Sequence, residues 1–115
     1  MQVQIFGVKN HAEVRKALRF FKERRVQVHF VDFKQRAPSA GELRRFFQKF
    51  GEEGLIDRDA KRFRALGLET SYYGDERWLG IASEEPLILR MPLVRNGSQL
   101  TVGLDEATWK DWVES

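Results

Sequence analysis

Gly7-Val8-Lys9-Asn10-His11 is the stretch of this 115-residue chain whose residue types and spacing point to chemistry. It follows the apolar run Val3 to Phe6 and opens an amphipathic segment at Val14, so it reads as a strand, a tight glycine-containing loop and a helix start. Such a turn aims backbone N–H groups and the positive end of a helix dipole at one point in space. A cysteine placed there is held as a thiolate nucleophile. This chain has His11 instead, with Lys9 just before it and Arg15 one turn later.

Three readings of His11 stay open on the sequence. It is a neutral helix-start residue, or part of a small-anion or glutathione-like pocket with Lys9 and Arg15, or a catalytic base or nucleophile. The last needs an activating partner that the sequence does not reveal.

Composition removes several function classes. The chain contains no cysteine, which excludes disulfides, thiolate metal sites and any mechanism in which its own thiol attacks. Two histidines, His11 and His29, lack paired ligand spacing, so no metal is expected. Every apolar run is interrupted by a charge before it reaches bilayer length, so no membrane partner is expected. Met1 leads straight into a strand-like pattern without a signal-peptide apolar region, and the expected location is cytoplasmic. The net charge of +3 and the pI near 9.4 raise nucleic-acid binding. The cations alternate with acids, as in Asp57-Arg58-Asp59, which suits a solvated surface better, and direct nucleic-acid binding is not expected.

The elements that must position the loop follow in order. Val3 to Phe6 is a buried strand. Asn10 with Glu13 three residues on suggests an N-cap, and Val14, Ala17, Leu18 and Phe21 form the buried stripe of a helix ending near Arg24 and Arg25. Val26 to Phe33 alternates as a second strand, with His29 half-exposed in it. Ser39 and Glu42 form a capping box for a helix with Leu43, Phe46, Phe47 and Phe50, running to about Gly51. From Gly51 to Pro86 there is no convincing strand. Asp57 or Asp59 starts one helical stretch, and Asp75 caps another that carries Trp78, Leu79 and Ala82. Leu87 to Val94 is apolar with Pro92 inside it, which implies an edge position or a cis bond. Asn96-Gly97 joins Leu93–Arg95 to Leu100–Gly103 as a hairpin, and Asp105 caps a last helix carrying Trp109, Trp112 and Val113. Two strands around a crossover helix imply a parallel pair, and the hairpin adds antiparallel strands. The fold class is therefore α/β: a thioredoxin-like fold with a four-stranded mixed sheet flanked by helices, one domain over 1–115, with a helical insert at about 51–86 between the second and third strands.

Separated pieces in the right order carry a family resemblance over nearly the whole chain. They are Ile5-Phe6-Gly7-Val8-Lys9-Asn10, Arg15-Lys16-Ala17, Leu66-Gly67-Leu68, Pro86 to Val94, and Val102-Gly103-Leu104-Asp105-Glu106. The chain resembles the ArsC-like proteins, which include arsenate reductases, Spx transcriptional regulators and YffB-like proteins, and the loop looks most like the YffB branch. The resemblance puts the family's catalytic cysteine on His11 and its Arg-Pro pair on Met91-Pro92, with Arg90 one residue early. Further oxyanion-binding arginines of the arsenate reductases would fall near Asp57 and Val102, so the resemblance implies that they are absent too.

Arsenate reduction of this type needs a thiolate that attacks arsenic, with arginines neutralising the oxyanion. Imidazole cannot be cycled by thiols, so the resemblance implies a family member that has lost redox catalysis and binds a partner or a small thiol or anion through Lys9, Asn10, His11, Arg15, Arg90, Met91 and Pro92. No cofactor is expected, although glutathione is a candidate ligand. Two alternatives are implied as well: a glutathione-dependent or arsenate-reductase-like oxidoreductase in which bound glutathione supplies the sulfur, and a Spx-like regulator contacting RNA polymerase.

Overall fold

Gln2–Gly7 forms strand β1, whose Val3 and Ile5 are fully buried on one face. Helix α1, Ala12–Glu23, carries the chain back so that β2, Gln27–Asp32, pairs parallel to β1. The register is unbroken, from Gln2 opposite Gln27 to Gly7 opposite Asp32. The computed structural model describes all 115 residues. They divide into two compact units, Met1–Arg36 with Met91–Ser115, and Ala37–Arg90.

In the first unit β3, Leu93–Asn96, runs antiparallel to β1, and β4, Gln99–Val102, runs antiparallel to β3. The strand order is β2-β1-β3-β4, the four-stranded mixed sheet that the element order implies. Gly97 takes φ +61° in the hairpin turn, a conformation that costs glycine little. The last helix, α5, spans Glu106–Glu114 and is capped by Asp105, whose carboxylate accepts the Thr108 amide at 3.2 Å. The core gathers Val3, Ile5, Ala17, Phe20, Phe21, Val94, Trp109 and Trp112. Trp109 sits with its ring centroid 5.4 Å from Phe21 and 5.6 Å from Phe20. Its indole N–H donates to buried Thr101 Oγ1 at 2.8 Å, which satisfies the polar end of a ring that is otherwise fully desolvated.

The second unit begins with helix α2, Ala40–Leu55, and the Ser39–Glu42 capping box is present in both directions. The sequence pattern ends this helix near Gly51. There the backbone does leave helical geometry, at φ 66° and ψ 177°, but helical turns resume to Leu55 because glycine takes a positive φ without a Cβ clash. Helix α3, Lys61–Ala65, starts later than Asp57 or Asp59 would place it; Asp57 instead accepts the Asp59 amide at 3.0 Å in a preceding turn. Helix α4, Asp75–Glu84, has Gly74 at its N-cap, because the Asp75 carboxylate is taken by the Glu52 amide at 3.0 Å. Pro86–Ile88 is a 3-10 turn. Leu89 forms an isolated bridge with Ile56, and the Arg90 amide donates to the Leu55 carbonyl at 2.7 Å, so the apolar block before Pro92 ends this unit and is not strand. Phe63 stacks on Trp78 at 6.0 Å in its core, with Leu43, Phe46, Phe47 and Leu79 also buried, while Phe50 is only half-buried.

Candidate functional site

The loop at the end of β1 is shaped by close approach. A Cβ on Gly7 would lie 2.6 Å from Val14 Cγ2, so glycine lets β1 and α1 approach this closely, while Met91 Cβ, 3.7 Å from the same point, is at ordinary contact distance. The His11 amide donates to the Val8 carbonyl at 3.2 Å and closes the turn, and the Arg15 amide donates to the His11 carbonyl at 3.0 Å.

The cap is not where the sequence suggests. His11, one residue after Asn10, is the N-cap of α1, in extended geometry at φ −84° and ψ 129°. Its Nδ1 accepts the Glu13 amide at 3.2 Å. An imidazole nitrogen accepts only through its lone pair, so the tautomer that makes this bond carries its hydrogen on Nε2. His11 is thereby a structural acceptor through one nitrogen and a donor through the other. A ring with hydrogen on both nitrogens cannot make the cap.

The chain's turn brings Lys9, Asn10, His11 and Arg15 together at the start of a 12-residue helix. Lys9, Asn10 and Arg15 are exposed and His11 is half-buried; the Arg15 guanidinium reaches the Lys9 carbonyl at 3.5 Å, the limit of a hydrogen bond. Beside them, a cavity of about 470 Å³ is lined by Lys9, Phe30, Val31, Asp32, Gln35 and Arg36. The parallel register delivers the end of β2 to the loop, where the Phe33 amide donates to the Gly7 carbonyl at 2.9 Å. Asp32, Gln35 and Arg36 are absent from the sequence-derived set. The crossover rule, which puts the C-terminal ends of a parallel pair side by side, is the signal that finds them.

Met91 and Pro92 are buried, the peptide between them is cis, and the Pro92 carbonyl accepts the Gly103 amide at 2.8 Å. Arg90 is exposed and closes the second unit. Near Asp57 the structure holds Arg58. Its guanidinium donates to the Ser71 carbonyl at 2.9 Å and lies 4.6 Å from the ring of Tyr72 and 5.3 Å from that of Phe63.

A model of the ArsC family matches residues 6–112. The YusI protein of Bacillus subtilis (strain 168) is 22% identical over 101 residues, which covers 84% of this chain and 86% of that protein. Among solved structures, a YffB protein superposes with a TM-score of 0.86 at 20% identity, covering 95% of this chain and 96% of the other. An arsenate reductase from Vibrio cholerae superposes with a TM-score of 0.80 at 19% identity, covering 96% and 97%. At such identities the superpositions establish the thioredoxin-like fold, and it is the family model, running from Phe6 to Trp112, that shows the chain belongs to the ArsC family.

Proposed function

We propose that this ArsC-family chain has lost thiol redox catalysis and acts by binding, with a small anionic thiol or oxyanion received at the loop of Lys9, Asn10, His11 and Arg15. The observation that carries the reading is the use of His11: this residue, which the resemblance puts at the family's cysteine position, spends Nδ1 on the Glu13 amide. It offers the ligand an N–H donor at Nε2 and no attacking sulfur. Lys9 and Arg15 add exposed positive charge beside the helix start, and Met91-Pro92 approaches the same loop at Gly7. The Vibrio cholerae neighbour is named an arsenate reductase. Reduction through an enzyme thiolate has no counterpart in a chain without cysteine.

Amide chemical-shift titration with glutathione, phosphate and arsenate tests the binding site. Saturable shifts clustered at residues 7–13 and 91–92 are expected at millimolar ligand. Their absence moves the function to a protein-binding surface. A thiol-coupled arsenate reduction assay tests the loss of catalysis: turnover by the wild type that disappears in His11→Ala overturns it.

A further inference from the structure

β2 is an outer strand of the sheet, and its outer edge pairs with no other strand. Natural outer strands are blunted by lysine, proline or bulges. Gln27-Val28-His29-Phe30-Val31-Asp32 has none of these and keeps unbroken register with β1. Backbone parity fixes which groups are free. Phe33 donates inward to Gly7, so Gln27, His29 and Val31 also turn their backbone groups to β1, whereas Val28 and Phe30 turn theirs outward. Val28 and Phe30 are half-buried, on the face that packs on the core, and a groove of about 540 Å³ runs along them, lined also by Leu18, Lys22, Arg25 and Val26.

We propose that this edge is a self-association site, at which two copies of the chain join β2 to β2 antiparallel about a two-fold axis normal to the sheet and passing between the two His29 residues. The edge is complementary to itself in that register. Val28 of each copy exchanges backbone hydrogen bonds with Phe30 of the other, so the outward groups find partners and the two apolar side chains meet on one face. Val26 falls opposite Asp32 of the second copy, whose carboxylate accepts its own chain's Lys34 amide at 3.0 Å through Oδ1 and whose charge then lies toward the groove cations Lys22 and Arg25. An isologous contact needs this pairing of one patch with itself. A single basic groove would instead ask for an acidic strand from another protein.

The absence of native cysteine makes the register directly testable. The two His29 residues occupy a non-hydrogen-bonded pair, with Cα atoms about 4.5 Å apart, within disulfide reach. His29→Cys is expected to give a disulfide-linked dimer under mild oxidation, and exposed Gln99→Cys on β4 is not. In sedimentation equilibrium the wild type is expected to approach twice its 13.5 kDa mass as concentration rises. Asp32→Arg is expected to weaken association several-fold, and adding Arg25→Asp to restore it. A wild type that stays monomeric at about 1 mM, where weak association still registers, overturns the proposal. Equal cross-linking of the His29 and Gln99 variants overturns it too.

Discussion

His11 accepts the Glu13 amide through Nδ1, so its first measurable contribution is to helix stability. His11→Ala removes the acceptor from the N-cap and is expected to destabilise the protein by about 0.5–1 kcal/mol. His11→Ser keeps a short acceptor and is expected to match or exceed the wild type, with urea midpoints at constant m-value as the check. If His11→Ala is as stable as wild type, the imidazole is not holding the helix. Sequence pattern finds the loop but misplaces its cap by one residue. His11 has the extended backbone geometry of a cap, and the turn closed from Val8 to His11 places it there, a tertiary detail that the Asn10–Glu13 spacing does not carry.

Arg62 of α3 and Glu85 just after α4 form a bidentate pair, with Nε and Nη2 each donating at 2.8 Å. The hydrogen bonds from Arg62 hold the Glu85 carboxyl below its ordinary value, and those to Glu85 raise the Arg62 guanidinium. A carboxylate with a lowered folded pKa contributes stability that is fully present above the ordinary value of 4.5 and is lost as pH falls through the folded one. The stability difference between wild type and Glu85→Gln is therefore expected to shrink as pH drops from about 5 to about 3, and to stay small throughout because the pair is solvent-screened. Thermal midpoints across that range measure it, and a difference that grows on acidification contradicts the assignment. Elements read from local rules mostly form as read: the Ser39–Glu42 box, the Asp105 cap and the Asn96-Gly97 hairpin need only neighbours in sequence. Asp75 does not cap α4, because a distant amide, that of Glu52, claims its carboxylate.

Across the whole molecule, the buried rings carry the largest penalties for change. Trp109 fills the first unit's core and satisfies Thr101. Trp109→Phe is expected to cost roughly 1–3 kcal/mol, from the lost ring volume and the hydroxyl left without its donor. Thr101→Val is expected to recover part of that loss in the Trp109→Phe background, and a double-mutant cycle by urea unfolding reads the coupling. Strictly additive losses would show that the hydrogen bond contributes nothing.

The sequence by itself determined the fold class, the family resemblance that the family model bears out, and the absence of any protein thiol. These follow from hydrophobic period, short-range turn chemistry and residue identity, which are local quantities. Tertiary structure decided that His11 is a cap, that Asp32, Gln35 and Arg36 join Lys9 around one cavity, and that Val28 and Phe30 face an open sheet edge. Each of these depends on strand order and backbone direction, which bring together residues that the chain keeps apart.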